Sequence, residues 1–558
     1  SLCLLGEFLR SELEMRSISS VFTWVFAVVT VALSTGAEDY YDIGSIHYEV
    51  TTESTSAQQW FDRGLANCYG FNHEEAVRCF EKAVAADPGM AMAYWGMAYA
   101  WGPNINNMEI EDHQIAKADL AVRLAQLHAA SSTELEKKLI EALDKRYVTP
   151  VPEDRDALNL AYAESLRRIY RDHQDDPLVV TLFAESLMDL QPWLHWSRDG
   201  VAAEHTPEII EVIEAGLKRW PNYPALCHLY IHMMEASPTP EAALPFANRL
   251  RSATPGLGHL LHMPSHIDIW VGNYEAAVSA NRRGIAADEE FLRREGPLNF
   301  YSLYRIHNYH FLVYAAMFDG QSNVALTAAR AIPKQIPEAM LREQTDFLDA
   351  FMPTELHVLV RFGKWEAILA SDEPPDYLPV SRSIWRYARA IAYASTGQVK
   401  EAEAEQAAFL EEKKKVPETS FLFQNASLDI LGVAEKMVAG EIAYRRGDHE
   451  EAFEHLREAV RRDDALNYDE PWGWMQPARH ALGALLLEQN RNQEALSVYQ
   501  QDLKLHPNNP WTLHGLAEAL TRLGRSADAE RRRNDYRVAC QRSDVEIDRS
   551  CFCRLSVE

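Results

Sequence analysis

A run of histidines at helical spacing is the part of the sequence best suited to chemistry. His259, His262 and His266 stand at i, i+3 and i+7, so a helix with 3.6 residues per turn places all three on one face. Pro264 lies inside this run, where it removes a backbone donor, and we expect it to kink the helix. Because imidazole nitrogens bind Zn, Cu, Fe and Ni, the run predicts a transition-metal site.

Two further histidine pairs flank this run: His228 and His232 before it, and His307 and His310 after it. Ligands on neighbouring helices can close around one ion. A set of three protein ligands with an open position is typical of catalytic sites, and four closed ligands are typical of structural ones. Seven histidines exceed what one ion needs. The pattern therefore fits two ions, or one ion with a proton-shuttling histidine.

The distribution of charge bears on the class of partner. The 558 residues carry a formal net charge of −27, and Asp and Glu are interspersed with Lys and Arg. We find no basic stripe, so we exclude nucleic acid as a partner. Scattered acidic residues are typical of a solvated surface. An acidic, calcium-associated extracellular protein is a further hypothesis, which rests only on net charge and export.

The first 37 residues read as targeting sequence. Arg16, the apolar run 21–29 and the small residues up to Ala37 have the order of a secretory signal peptide. We therefore assign residues 15–37 to a signal peptide and residues 1–14 to a translated leader. The apolar run is shorter than the ~20 residues that a transmembrane helix needs, and no later segment is apolar enough to span a membrane. We expect a secreted or lumenal protein without a membrane span.

Cysteine positions fit an oxidising compartment. Residues 536–558 form a tail that contains Cys551 and Cys553, and we expect a disulfide between this pair and Cys540. Cys68 and Cys79 either bridge the two helices of one hairpin or stay free, and the sequence leaves both alternatives open.

After an irregular lead-in at residues 38–56, small and aromatic residues recur with a fixed period. Small residues let two antiparallel helices approach, aromatic residues fill the space between neighbouring hairpins, and a proline ends the second helix. The first copy consists of Trp60, Gly64, Ala76, Phe80, Ala83 and Pro88. The same phase recurs late in the chain at Gly483, Ala495, Tyr499 and Pro507.

This pattern resembles the tetratricopeptide repeat (TPR) family over most of residues 57–535. The resemblance implies an all-α, TPR-type α-solenoid, in which stacked antiparallel helix hairpins form a superhelix with a concave groove. The stretch G-H-L-L-H-M-P-S-H also looks like a group of long TPR proteins from which no activity carries over. The clear repeats lie near residues 57–90, 224–291, 306–339, 383–416 and 433–535.

The family resemblance also assigns the histidines a position. In TPR proteins the second, fifth and ninth positions of each first helix usually point into the groove. By this count every candidate metal ligand occupies a groove position: His228, His232, His259, His262, His266, His307 and His310. Glu185 falls at a ninth position of the preceding repeat, which makes it the candidate general base.

Insertions in a solenoid often lie on its binding face, and three Trp/Pro-rich stretches, at residues 101–104, 191–196 and 470–474, interrupt the array. The chain has no P-loop, no G-x-S-x-G elbow and no H-E-x-x-H motif. The signatures of familiar nucleotide-binding and hydrolytic enzymes are therefore missing.

The residues support two functional hypotheses. In the first, a secreted TPR protein holds Cu, Zn or Fe in its groove and acts on a small molecule or peptide, as a metal-dependent hydrolase or oxidoreductase. In the second, the groove is a non-catalytic scaffold for a peptide or protein, and its histidines donate hydrogen bonds to a bound peptide or anion. The kink at Pro264 serves either the metal site or the curvature of the superhelix.

Overall fold

The computed structural model describes residues 40–108, 110–152 and 154–555. The expected leader and signal peptide lie outside these residues. The described chain divides into two compact units. Unit 1 holds the residues up to His195 together with 203–229 and 252–257, and unit 2 holds residues 196–202, 230–251 and those from Gly258 onward.

Unit 1 is built from helices. They are α1 (Thr55–Tyr69), α2 (His73–Ala86), α3 (Ala91–Ala100), α4 (Asp112–His128), α5 (Glu134–Asp144), α6 (Asp156–Asp172), α7 (Pro177–Met188), α8 (Thr206–Arg219) and the first part of α9 (Pro224–Met234). Helices that follow one another in sequence pack together, as α1 does with α2 and α3 with α4.

Local sequence signals explain where these helices begin. The side chain of Ser54 accepts a hydrogen bond from the backbone N–H of Ala57 at the start of α1, and Asn72 caps α2 in the same way. Thr133 and Glu136 form a reciprocal capping box at α5. Each cap satisfies a backbone donor that the first helical turn leaves without a partner.

One aromatic side chain between two glycines holds the first three helices together. A Cβ on Gly64 in α1, or on Gly96 in α3, would lie 2.5 Å from the ring of Phe80 in α2. The ring is fully buried and occupies the volume that side chains at both positions would need. The small-residue rule of the repeat therefore has a direct packing cause.

Unit 2 holds the last part of α9 and most of the chain. Its other helices are α10 (Leu244–Leu250), α11 (Gly258–His262), α12 (Pro264–Trp270), α13 (Tyr274–Glu295), α14 (Ser302–Phe318), α15 (Ser322–Gln335), α16 (Glu338–Glu343), α17 (Thr345–Leu348), α18 (Thr354–Arg361), α19 (Trp365–Leu369), α20 (Pro379–Ser395), α21 (Val399–Lys413), α22 (Ser427–Arg446), α23 (His449–Asp463), α24 (Ala478–Glu488), α25 (Asn492–Leu505), α26 (Pro510–Arg522) and α27 (Ser526–Ala539).

The glycine–aromatic–glycine arrangement recurs near the end of unit 2. Tyr499 in α25 packs against the backbone of Gly483 in α24 and Gly515 in α26, at the same 16-residue spacing as in unit 1. A short antiparallel hairpin, β1 (Phe421–Leu422) and β2 (Asn425–Ala426), precedes α22 and pairs Phe421 with Ala426. The fold is all-α, with stacked antiparallel helix hairpins.

The cysteines differ from expectation. Cys551 bonds to Cys553, and Cys540 is a free thiol, so the expected bridge to Cys540 is wrong. The two paired cysteines stand only two residues apart and are already joined to each other. Cys68 and Cys79 are buried free thiols, and the Cys79 sulfur instead makes a 3.0 Å hydrogen bond with the Tyr40 hydroxyl.

Among the described helices, none combines the length and apolar composition needed to cross a bilayer.

Candidate metal centre

The histidine run lies on two short helices rather than one. Helix α11 ends at His262 and α12 begins at Pro264, so the chain breaks where the proline was expected to disturb it. Proline is tolerated in the first turn of a helix, because the backbone N–H groups of that turn have no hydrogen-bond partner within the helix. The break keeps His262 and His266 four residues apart on the same side of the chain.

Three imidazoles converge within unit 2. The Nε2 atom of His262 lies 2.6 Å from Nε2 of His266 and 3.1 Å from Nε2 of His307. Ligating atoms of these three residues all lie within 4.8 Å of one another. We call His262, His266 and His307 the triad. Helices α11, α12 and α14 each supply one of its members.

Asn281 in α13 determines which nitrogen of His262 carries a proton. The Asn281 side-chain amide donates to the backbone carbonyl of Ala277 at 2.8 Å, so its oxygen Oδ1 faces His262. Nδ1 of His262 lies 2.7 Å from that oxygen and must therefore donate. In the neutral ring, Nε2 of His262 then carries the lone pair that points into the triad.

Two carboxylates determine the orientation of His266. Its Nδ1 atom lies 2.7 Å from Oε2 of Glu235 and 2.7 Å from Oε2 of Glu470. Glu235 follows directly after α9, and Glu470 lies between α23 and α24. Because carboxylates accept, Nδ1 of His266 donates, and its Nε2 faces the triad. A carboxylate on the outer nitrogen of an imidazole is the usual support of a metal ligand.

Two Nε2 lone pairs cannot face each other at 2.6 Å without a cation between them. A second proton on His266 is one such cation, and a metal ion is another. Although burial opposes the charged form, the carboxylates of Glu470 and Glu235 raise the pKa of His266 to about 10. Burial and the neighbouring His266 and His307 hold the pKa of His262 well below its usual value, and burial lowers the pKa of His307 to about 3.

Aromatic rings enclose the triad. Phe311, one turn after His307 in α14, stacks on His266 with ring centroids 5.2 Å apart and meets the His262 ring edge-on at 5.1 Å. Phe423, in the turn between β1 and β2, lies 5.3 Å from the His307 ring. His307 is the one half-exposed member of the triad. The solvent-facing side of the triad is therefore at His307, next to the ring of Phe423.

Two glycines bring α11 against α13. A Cβ on Gly284 would lie 2.9 Å from the backbone oxygen of Gly258 and 3.3 Å from Cβ of His262. No side chain fits between the two helices at this point. This close crossing is what lets His262 reach Asn281.

Three predicted ligands of unit 2, His232, His259 and His310, lie beside the triad rather than in it. The His259 ring lies 6.0 Å from the His262 ring and 6.2 Å from the His232 ring. His310 packs against Phe351 and lines a cavity of about 20 Å³ together with His357. The structure does not bring His310 to the triad, although the register places it on the same face as His307.

The other two predicted residues belong to unit 1. His228 is buried, with Nδ1 2.8 Å from the Tyr69 carbonyl oxygen. Glu185 in α7 accepts a hydrogen bond from the hydroxyl of Tyr99, and burial with the nearby Asp189 raises the pKa of its carboxyl. Glu185 lies in unit 1, and its role as general base stays an untested prediction.

Burial corrects the picture of an open groove. His262 and His266 are 0% and 1% exposed, because side chains of several helices cover them. His262 and His266 were expected to line an open groove, but they lie in the interior of unit 2. The residues that sequence reasoning missed are Asn281, Glu235 and Glu470. Only the interruption at 470–474 pointed to one of them.

The family described as Tetratricopeptide repeat matches residues 486–535. These residues contain α25, α26 and most of α27, and include Tyr499 with its packing partner Gly515. This part of the chain carries tetratricopeptide repeats. No curated protein was found to match the sequence of this TPR protein.

Solved structures of other helical-repeat proteins are similar to the TPR chain at low identity. Human IFIT1, solved as a dimer with m7Gppp-AAAA, is 9% identical, with 88% of this chain and 92% of that chain covered and a TM-score of 0.30. Yeast Tom70 is 12% identical, with 86% and 90% covered and a TM-score of 0.26. At these values the likenesses assign no ligand or partner to the TPR protein.

The exclusion of nucleic acid as a partner is wrong. IFIT1 was solved with m7Gppp-AAAA and, in another structure, with PPP-AAAA. This correction concerns nucleic acid alone, because binding of a protein partner is typical of TPR repeats.

Proposed function

We propose that this TPR-repeat protein binds a divalent transition-metal ion through the Nε2 atoms of His262, His266 and His307. The observation that carries the proposal is the convergence of three Nε2 atoms in one buried place. The Nδ1 atoms of His262 and His266 are both committed to hydrogen bonds. Nδ1 of His307 is buried and has no hydrogen-bond partner among the described residues.

The charges around the triad suit a divalent cation. Three neutral imidazoles contribute no charge, and the carboxylates of Glu235 and Glu470 contribute two negative charges behind His266. A doubly positive ion on the triad is thus balanced within the interior of unit 2, where an unbalanced charge is costly. Binding of the ion displaces a proton from the space between His262 and His266.

Three histidines leave one coordination position open. That arrangement is typical of catalytic sites rather than structural ones, and we infer a catalytic role. When bound, the ion supplies Lewis-acid chemistry at the open position. Asn281, Glu235 and Glu470 orient the imidazoles, and Phe311 and Phe423 keep water from the rings. Zn, Cu and Fe all suit imidazole ligands.

Export of the chain remains part of the proposal. It rests on the signal peptide predicted at residues 15–37, and would place the site in a secreted or lumenal protein.

Elemental analysis of the purified full chain tests the metal site. After removal of metals and dialysis against Zn²⁺, His262→Ala and His307→Ala should each retain one equivalent less than the wild type. The matched control is His455→Ala on α23, a half-exposed histidine outside the triad, which should retain the wild-type amount. A wild type that binds no zinc, copper or iron would overturn the proposal.

A further inference from the structure

A second set of ligating atoms lies on the opposite side of the His266 ring. Nδ1 of His266 faces Glu235 and Glu470, each at 2.7 Å. Nδ1 of His232 lies 2.8 Å from the other oxygen of Glu235. Ligating atoms of His232, Glu235 and His266 lie within 4.8 Å of one another. His266 therefore belongs to two groups of ligands, one at each ring nitrogen.

Hydrogen bonding alone leaves this second group incompletely satisfied. The single N–H at Nδ1 of His266 is shared between two carboxylate oxygens, each 2.7 Å away. Oε1 of Glu470 is buried without a hydrogen-bond partner among the described residues. Glu470 is 6% exposed and Glu235 is 1% exposed. A buried carboxylate oxygen in this state is destabilising unless a proton donor or a metal ion lies beside it.

The set of donor atoms is one that a divalent transition metal takes. Two imidazoles and two carboxylates match the nitrogen and oxygen ligands of Zn²⁺ and of similar ions. An orienting partner for a metal-bound histidine needs only one acceptor. Here the outer nitrogen of His266 meets two carboxylates, and a further histidine joins them.

We propose that His232, Glu235 and Glu470 hold a second divalent transition-metal ion, and that the imidazole ring of His266 bridges it to the ion on the triad. This inference rests on the proposed function, because the bridge requires an ion at Nε2 of His266. Binding of the second ion replaces the Nδ1 proton of His266, which leaves to solvent. No electron is transferred in this step.

The charge of the two-ion centre is nearly balanced. Two divalent ions carry four positive charges. Glu235, Glu470 and the deprotonated bridging ring carry three negative charges. One anionic ligand at the open position of the first ion neutralises the remainder, so the centre favours a negatively charged ligand there.

The number of metal ions bound per chain distinguishes two alternatives. Either Glu235 and Glu470 bind a second ion, or they only orient His266. The full chain, freed of metal and titrated with Zn²⁺, should bind two equivalents. Glu470→Gln keeps the shape and a hydrogen-bonding group but removes the charge, and should bind one. His307→Ala should also bind one, at the second site. Glu441→Gln, which changes a buried carboxylate of α22 paired with Arg445, is the matched control and should bind two.

The outcomes distinguish the two proposals. One equivalent in both the wild type and Glu470→Gln overturns the second site and leaves the triad site standing. No binding in any variant overturns both. If Glu470→Gln does not fold, as judged by its circular dichroism, the spectrum of copper-loaded wild type tests whether His266 bridges two ions. Two Cu²⁺ ions bridged by one imidazole should couple magnetically and lose the spectrum of isolated Cu²⁺, whereas an undiminished isolated spectrum contradicts the bridge.

Discussion

The Nε2 atoms of His262 and His266 lie 2.6 Å apart while the Nδ1 atom of each ring donates a hydrogen bond to an oxygen acceptor. This relationship joins two short helices that a proline separates. It also requires a proton or a metal ion between the two Nε2 atoms. Substitutions that remove a hydrogen-bond partner of either ring, or that move the helices carrying the rings, should therefore change metal binding.

Asn281 holds His262 in the tautomer that leaves Nε2 free to bind a metal. Asn281→Leu removes the acceptor for the Nδ1 proton and should weaken Zn²⁺ binding at the triad by about 10–100-fold, the usual effect of losing such a partner. Asn281→Asp keeps an acceptor and should bind within a few-fold of the wild type. A competition titration with a coloured chelator measures both, and equal weakening by the two variants would argue against an orienting role.

The close crossing of α11 and α13 depends on Gly284. Gly284→Ala places a methyl group against the backbone oxygen of Gly258, so the helices must move apart. We expect a loss of about 1–3 kcal/mol in the free energy of unfolding and weaker zinc binding, because His262 moves with α11.

Gly432→Ala is the matched control for this substitution. Gly432 also lies in a buried helix, but its nearest neighbour is the flexible end of Arg462 at 3.1 Å. Alanine there should be neutral or stabilising by up to ~1 kcal/mol. Urea denaturation measures both variants, and a Gly284→Ala protein as stable as the wild type would show that the crossing is not tight.

Phe423 is a bulky residue with a left-handed backbone, at φ 48°. Such a conformation costs about 1–3 kcal/mol and persists where surrounding structure holds it. We predict that Phe423 limits access to the triad at His307. Phe423→Asn tolerates the backbone conformation and should release bound zinc to a chelator at least about tenfold faster. Phe421→Asn is the control, because it weakens the same hairpin at a residue in β1. If it accelerates zinc release as much as Phe423→Asn does, the effect comes from hairpin stability and not from access at His307.

Buried neutral histidines make the stability of the protein depend on pH. Burial lowers the pKa of His310 to about 3 and that of His357 to about 4, from 6.5 in the unfolded chain. The free energy of unfolding is therefore highest, with respect to these two groups, above pH 6.5. It decreases as the pH falls from 6.5 toward the folded-state pKa values, because the unfolded chain then binds protons that the folded chain does not. Each neutral histidine costs up to about 1.4 kcal/mol of stability per pH unit below 6.5.

His310→Leu removes one of these groups and should make the decline in the free energy of unfolding between pH 6.5 and 4 shallower. His357→Leu should act in the same direction. Urea denaturation at several pH values, on protein freed of metal, measures the slope. A slope that neither substitution changes would mean that both rings are protonated in the folded chain.

The sequence predicts the repeat and its packing because these rest on local spacing. Gly64 and Phe80 stand in one hairpin, and the structure shows their contact directly. The triad also follows from local spacing, since His262 and His266 are four residues apart and His307 occupies a matching position in a later helix. Pro264 marks the break between helices for the same reason.

The positions of Glu470 and Asn281 beside the triad depend on packing between distant parts of the chain. The periodicity of a single helix does not predict such contacts. Glu470 reaches His266 from an irregular segment more than 200 residues later in the chain, and Asn281 comes from the next helix. The position of His310 shows the same limit. It shares a helix face with His307, yet side chains such as Phe351 direct it to a different cavity.

X-ray absorption of zinc-loaded full chain tests the triad most directly. The wild type should show a shell of nitrogen and oxygen atoms at about 2.0–2.1 Å, with the outer-shell scattering of imidazole rings. The double variant His262→Ala/His307→Ala should lose most of the imidazole scattering. A wild type that retains no metal, or a spectrum that the double variant leaves unchanged, would contradict a metal ion bound by His262, His266 and His307.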